Sequence, residues 1–236
     1  MTKTLFAALA IYRDISSRSA SMNMAIDEAL LETAKIPSIR FYQWNHPALS
    51  FGYFCKFADV ADHRHERDLV RRWTGGGIVL HGADLTYAIV IPACNSGFRE
   101  TSRTIYERVH RALANALAVS GQAAELVTAA AVADRRDQSN SAVIDRLYSD
   151  CFANPVPADV LVDGRKIAGA AQRRTRSGLL QQGSIQNVPL EHDFMDRFAK
   201  GLAADCSEWK IDDLILERAQ VLAQQKYATD PWLQRR

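Results

Sequence analysis

The sequence predicts an α+β fold, a mixed β-sheet flanked by helices, and three observations predict it. Stretches of helical apolar spacing recur singly among short β-branched and aromatic runs. Two such runs within residues 70–92 are separated by little more than Gly75-Gly76-Gly77. Two more, 160–162 and 165–171, are joined by Asp163-Gly164, the strongest short-range signal for an antiparallel hairpin.

The elements follow in order. Leu5 to Tyr12 reads as a first strand, because Arg13 and Asp14 end the apolar run too early for a signal segment or a membrane span. From Ser21 to Ala34, Met24, Ala29, Leu30 and Leu31 sit among Asp27, Glu28 and Glu32, a helix capped near Ser19 or Ser21 and closed by Pro37. Ile39–Trp44 and Ala48–Tyr53 are strands parted by a turn at His46-Pro47. Asp59–Leu69 is a polar helical connection, and Val70–Pro92 is strand, glycine loop, strand, with Leu85–Ile91 apolar enough to be central. Tyr106–Val119 carries Val109, Leu113 and Leu117 at near-helical spacing and stops at Ser120-Gly121. Residues 129–140 lack periodicity and form a loop. After the 160–171 hairpin come a strand over Gly178–Ile185, helices over Phe194–Leu202 and Ile211–Lys226, and a polar tail from Tyr227 to Arg236.

Composition narrows the function. At roughly 150 residues per domain, 236 residues make one large domain, and 47% hydrophobic content is ample for a core. Lys and Arg number 29 against 27 Asp and Glu, so no global basic field favours nucleic acid or a membrane surface. Cys55, Cys94, Cys151 and Cys206 have no short spacing, which suggests neither a metal site nor a disulfide framework and points to a reducing cytoplasm.

Two stretches carry chemistry. In Arg71-Arg72-Trp73-Thr74-Gly75-Gly76-Gly77-Ile78-Val79-Leu80-His81, glycines let the backbone approach a ligand and aim N–H groups at an anion or carbonyl, while the arginines neutralise charge. Taken alone, a glycine triple also serves as an ordinary turn or bulge. In the second, Asp159 precedes Asp163-Gly-Arg-Lys166-Ile-Ala-Gly169-Ala170-Ala-Gln-Arg-Arg174. Strand alternation places Lys166 on one face with the small residues 168 and 170, a slot for a ligand beside an ammonium, although a hairpin lysine is ordinarily solvated.

Together these stretches resemble the two signature segments of the lipoate and octanoate protein ligases and transferases, relatives of the biotin protein ligases. Ser21-Met-Asn-Met-Ala-Ile-Asp-Glu28, Arg40-Phe-Tyr-Gln-Trp44, Leu49-Ser-Phe-Gly-Tyr53 and Gly178-Leu-Leu-Gln-Gln-Gly-Ser-Ile185 match as well, in the family's order, from about residue 12 to 200. The resemblance implies a biotin/lipoate-ligase-like catalytic domain over 1–236, with a helical extension from about 201, that places a lipoyl or octanoyl group on a lysine of a carrier domain. It implies that Lys166 is catalytic, and that Arg72, Gly75, Gly76, Gly77, Ile78, Val79, Leu80, His81, Asp159, Gly169 and Ala170 hold the acyl or adenylate group. Implied partners are the lipoyl domains of 2-oxoacid dehydrogenase complexes or the glycine cleavage H protein, with acyl carrier protein as a possible donor. The Gly-Arg-Gly-Arg loop of biotin ligases is absent.

The family divides by mechanism, and the chain carries marks of both branches. Gly77 and Asp159 match ATP-dependent ligases, the aspartate helping with Mg·ATP, and they favour a ligase that forms lipoyl adenylate from lipoic or octanoic acid, with ATP and Mg2+ as cofactors. Cys151-Phe152-Ala153-Asn154-Pro155 matches cysteine-dependent octanoyltransferases, in which Cys151 would be the nucleophile, activated by Lys166. A non-catalytic module that binds lipoyl domains is the second alternative. Gly82 stands where the family carries an aspartate after the histidine. Arg165, Lys166, Arg173, Arg174 and Arg176 make a basic stripe suited to an acidic carrier.

Overall fold

The computed structural model describes residues 4–132 and 155–235, without the side chain of Ile15. In chain order the elements are β1 (Phe6–Arg18), α1 (Ala20–Thr33), β2 (Ser38–Trp44), β3 (Ala48–Phe51), β4 (Asp68–Arg71), β5 (Ile78–His81), β6 (Leu85–Pro92), α2 (Ser102–Val119), β7 (Ala124–Leu126), β8 (Val160–Val162), β9 (Arg165–Arg174), β10 (Gly178–Ile185), α3 (Phe194–Leu202), β11 (Ala203–Trp209), α4 (Asp213–Leu222) and a short α5 (Asp230–Leu233). Among the described residues, eight strands pair in the order β11-β1-β2-β6-β10-β9-β8-β7, and β4-β3-β5 form a second, smaller sheet. The large sheet is mixed: β1 runs parallel to β11 and β2, while β6, β10, β9, β8 and β7 pair antiparallel in succession. Helices cover both faces, as an α+β reading requires.

Strand alternation divides the core. Leu9 and Ile11 of β1 point to the side where Val109, Leu113 and Leu117 of α2 meet Phe194 and Phe198 of α3. Ala10 and Tyr12 point to the other side, against Met24 and Leu30 of α1 and Ile215 and Ala219 of α4. The central strands β6 and β10 are buried along their whole length; β6 is accordingly almost continuously apolar, whereas β10 buries the polar Gln181, Gln182 and Ser184 among its leucines. Helix α1 begins at Ser19, whose hydroxyl accepts from the Met22 N–H, and α2 begins at Thr101, which accepts from the Thr104 N–H. At the β8–β9 turn Asp163 and Gly164 both have positive φ, 50° and 74°, the conformation that an Asp-Gly hairpin requires.

Four segments differ from the sequence expectation, one of them the start of the loop expected over 129–140, where residues 129–132 are helical. Residues 59–69 form 3-10 turns, Phe57–Asp59 and Ala61–His65, that lead into β4. The expected helical extension from 201 contains β11, an edge strand exposed along most of its length; it lacks an apolar alternation and is held by main-chain pairing to β1. The expected polar tail is docked. Tyr227 and Leu233 are buried, the Tyr227 hydroxyl donates to Glu28, and Lys226 pairs with the same carboxylate at 2.6 Å. Arg71 donates to the carbonyls of Tyr53 at 2.9 Å, Cys55 at 2.6 Å and Leu233 at 2.9 Å, and thereby ties the C-terminal turn to the small sheet.

One buried ion cluster joins the layers. Arg40 of β2, fully buried, reaches Asp14 of β1 at 2.7 Å, Asp27 of α1 at 2.7 Å and the Asn23 side chain at 2.7 Å. The other oxygen of Asp27 accepts from the Tyr42 hydroxyl at 3.0 Å and from the Gln182 amide at 2.7 Å, and Gln182 in turn accepts from Thr74 at 2.8 Å. Burial pushes the Asp27 carboxyl up, against the pull of Arg40. Removing the cation leaves two carboxylates buried without it, so Arg40→Ala should cost about 3–5 kcal/mol. Urea unfolding of wild type and variant measures this, and a loss below about 1 kcal/mol, the scale of an exposed pair, would show that the cluster does not hold the layers together.

Candidate active site

Between the small sheet and β9–β10 of the large one lies a cavity of about 250 Å3. Met24, Tyr42 and Trp44 contribute from α1 and β2, Val79 and His81 from β5, Gln182 to Ser184 from β10, and Lys166 with Gly169 to Ala171 from β9. The strand period of two sorts the neighbours of these residues. Val79 and His81 face the cavity, whereas Ile78 and Leu80 turn to the small-sheet core around Leu49 and Phe51. Of the sequence-predicted residues, Arg72, Gly76, Gly77, Val79, His81, Lys166, Gly169 and Ala170 line the cavity; Gly75, Ile78, Leu80 and Asp159 do not.

The glycine loop is held from behind. Gly76 has φ +82°, the left-handed region that favours glycine, and a Cβ there would lie 3.2 Å from the Ala171 Cβ. Gly52 packs under the loop so closely that a Cβ would overlap the Gly76 carbonyl, which accounts for the Leu49–Tyr53 motif. Arg72 donates to the carbonyls of Gly77 at 2.8 Å and Gly75 at 3.2 Å, and to the Ser50 hydroxyl at 2.7 Å. Ser50 lies 2.6 Å from His81 Nε2, and His81 Nδ1 lies 2.8 Å from Asp84 Oδ2. Burial lowers the imidazole pKa, while hydrogen bonds from His81, Ser184 and the Gly82 N–H hold Asp84 below the usual carboxylate range despite its desolvation. A neutral His81 that donates to an ionised Asp84 and accepts from Ser50 satisfies every partner. Trp44 stacks on the imidazole, centroids 4.0 Å apart, and its Nε1 donates to Thr86 at 2.8 Å. Asp84, two residues beyond Gly82, thus supplies the carboxylate that the sequence lacks directly after the histidine.

Lys166 sits on a bulge. In the β8–β9 register Val160 faces Ala168 and Leu161 faces Lys166, so Ile167 is the extra residue. The expected alternation of Lys166 with positions 168 and 170 is broken as a result: Ile167 and Ala168 both enter the core, and Gly169 is the residue beside the lysine. A Cβ on Gly169 would come within 2.6 Å of Lys166 Cε. The Lys166 ammonium pairs with Asp159 Oδ2 at 2.7 Å, the same oxygen accepts from the Val156 N–H at 2.7 Å, and Oδ1 accepts from the Tyr106 hydroxyl at 2.5 Å. Asp159 is fully buried. Asp159 does not line the cavity, and its oxygens accept from Lys166, the Val156 N–H and Tyr106, so it holds the lysine from behind. Cys151, like most of the loop expected over 129–140, lies outside the described residues.

Several residues in and around the site carry no local sequence signal. Tyr42, Trp44, Gln182 and Ser184 lie in motifs noted above, where nothing singled them out; the strand period of two puts 42 with 44, and 182 with 184, on one face. Asp84, Tyr106 and His110 were legible merely as parts of a loop and a helix.

An apolar slot with a buried ammonium at a small-residue strand and a backbone-rich glycine loop opposite, in an α+β scaffold, is suited to an apolar chain that ends in a polar carbonyl. The family model of the lipoyl protein ligase A/B catalytic domain matches residues 19–222. An octanoyltransferase LipM of Anoxybacillus flavithermus is 30% identical, with 93% of this chain and 95% of that protein aligned. Among solved structures, a Thermoplasma acidophilum protein with bound lipoic acid superposes with a TM-score of 0.72 at 21% identity, covering 97% of this chain and 99% of its own. A bipartite lipoate protein ligase of the same organism, studied with its E2 lipoyl domain, gives 0.70 at 18% identity and covers 97% and 96%. The chain belongs to the lipoyl protein ligase A/B catalytic-domain family and is an enzyme of that lipoate ligase and octanoyltransferase group.

His110 yields a test of the buried polar layer next to the site. It accepts from the Tyr87 hydroxyl at 3.0 Å through Nε2 and donates from Nδ1 to the Ala158 carbonyl at 2.6 Å, and burial lowers its pKa to about 4. An unfolded histidine takes its proton near pH 6.5. As pH falls below that value the unfolded chain therefore binds a proton the native state refuses, and stability declines until about pH 4. Between pH 7.5 and 5, wild type should lose about 2 kcal/mol more stability than His110→Asn. Parallel urea titrations at the two pH values check this; equal losses would mean that His110 takes up its proton at the same pH in the folded and the unfolded chain.

Proposed function

We propose that the protein is a cytoplasmic octanoyltransferase that moves an octanoyl group from an acyl-carrier thioester to a lysine of a lipoyl carrier domain, by way of a thioester on Cys151. The observation that carries this reading is the placement of Lys166 and Val156 on one slot, with Cys151 five residues before Val156 in a Cys-Phe-x-x-Pro tract. Five residues span at most roughly 17 Å, so the chain length allows the sulfur to reach the cavity. The name of the Anoxybacillus relative supports the same branch. The ATP-dependent ligase expected from Gly77 and Asp159 is the weaker reading, since Asp159 serves Lys166.

The chemistry needs two exchanges at one carbonyl. The Cys151 thiolate attacks the donor carbonyl; a new C–S bond forms, the carrier C–S bond breaks, and the carrier sulfur leaves as a thiolate that takes up a proton. The amine of the acceptor lysine then attacks the enzyme thioester, an amide forms, the Cys151 C–S bond breaks, and the amine gives up a proton. ATP is not consumed. Lys166, fixed by Asp159, stabilises the negative oxygen of each tetrahedral intermediate, and the apolar walls strengthen that interaction. Arg165, Arg173, Arg174 and Arg176 offer an acidic carrier a complementary surface.

Lys166→Ala should lower transfer by about 100-fold or more, the scale for loss of one preorganised charge. Transfer of octanoate from octanoyl carrier protein to an apo lipoyl domain, read by intact mass, measures it; near-normal turnover would remove the lysine from the mechanism. Cys151→Ser should abolish transfer, and wild type incubated with donor alone should gain one octanoyl group at Cys151. A requirement for ATP with free acid, and no adduct, would restore the ligase reading.

A further inference from the structure

Helix α2 packs against the core through Ile105, Val109, Leu113 and Leu117, and its adjoining face carries a polar pair, half-buried Tyr106 at the cavity and buried His110, that this packing does not need. Tyr106 and His110 are four residues apart, one turn of helix, and their rings meet edge to face at 4.2 Å. They reach two adjacent residues of the segment before β8, one each. The Tyr106 hydroxyl donates to Asp159 Oδ1 at 2.5 Å, and His110 Nδ1 lies 2.6 Å from the Ala158 carbonyl. Ala158 is one of few non-glycine residues with positive φ, at 69°, a conformation that an alanine keeps only when its surroundings hold it. Its own N–H donates to the Val127 carbonyl at 2.8 Å.

The Tyr106 hydroxyl also accepts from the Ala170 N–H at 3.1 Å, so one oxygen spans the counter-ion of Lys166 and the backbone of the strand that borders the cavity. The neutral imidazole is held from the far side by Tyr87 at 3.0 Å, whose ring lies across Gly183 where any Cβ would collide with it. Among the described residues, the polar groups facing the Asp159 carboxylate are Lys166, Tyr106 and the Val156 N–H, with His110 one residue away at the Ala158 carbonyl.

We infer that Tyr106 and His110 are positioning residues that clamp the Ala158–Asp159 turn and thereby set where the Lys166 ammonium stands in the acyl slot. Their importance for catalysis rests on the role proposed above for Lys166, whereas the clamp is a property of the fold. Because Tyr106 keeps its ring when only the hydroxyl is removed, the polar function can be separated from packing.

The test uses the full-length protein with Tyr106→Phe, His110→Leu and His110→Asn, the last retaining a donor near the Nδ1 position. Two quantities are read: the labelling rate of Lys166 by an amine-acylating reagent, located by peptide mass, and single-turnover transfer from octanoyl carrier protein to a lipoyl domain. The clamp predicts that Tyr106→Phe labels Lys166 several-fold faster, and that the single-turnover rate constant at saturating donor falls about tenfold with the half-saturating donor concentration little changed, the scale of one hydrogen bond to a charged group. His110→Asn should recover part of what His110→Leu loses. If His110→Leu does not fold, Tyr106→Phe decides alone. Unchanged Lys166 labelling in folded Tyr106→Phe would overturn the inference. Lys166→Ala judges the transfer reading separately, and its failure would leave the labelling result to stand by itself.

Discussion

The desolvated guanidinium of Arg40 is the constraint on which the remaining architecture depends. A charge without water must be met on every side, and Asp14, Asp27 and Asn23 meet it from β1 and α1. That requirement fixes the distance between helix and sheet. Through Asp27 and Gln182 it extends to Thr74, one residue before the glycine loop, so the wall of the cavity is set by a charge cluster whose ionised groups do not line it. The Ser21–Glu28 and Arg40–Trp44 motifs are thus largely scaffold, although Met24, Tyr42 and Trp44 also present side chains to the slot.

Two polar relays approach the slot from different elements. One runs Asp84, His81, Ser50, Arg72 to the carbonyls of the glycine loop, and the other runs His110 and Tyr106 to Asp159 and Lys166. Each ends in a cation at the cavity and begins in groups buried within the fold. Such chains hold a side chain in one orientation before any substrate arrives, which is what stabilisation of a transient charge requires.

The position of Asp159 changes how a sequence mark is understood. An aspartate ahead of a conspicuous lysine can serve a nucleotide metal or serve the lysine, and in one dimension the two are identical. Here the carboxylate lies behind the ammonium with its oxygens occupied. Asp84 shows the converse: a carboxylate three residues after His81 reaches the imidazole because the chain turns between β5 and β6, so the spacing of the motif is not the spacing of the contact.

Most of the strands and helices, the Asp163-Gly164 hairpin and the joint presence of Arg72, the glycines and Lys166 were legible in the sequence, because apolar period, turn chemistry and motif order are local properties of the chain. The bulge at Ile167, which makes Gly169 rather than Ala168 the neighbour of Lys166, was not, since register is decided between strands. Edge strand β11 has no buried face to impose a pattern, and the docked C-terminal turn depends on Arg71, more than 150 residues away in sequence. Tyr106, His110 and Asp84 acquire their roles only when α2, the turn before β8 and the β5–β6 connection meet. Hydrogen bonds between distant segments have no periodicity to read, so the tertiary structure alone decided which polar side chains stand around the lysine.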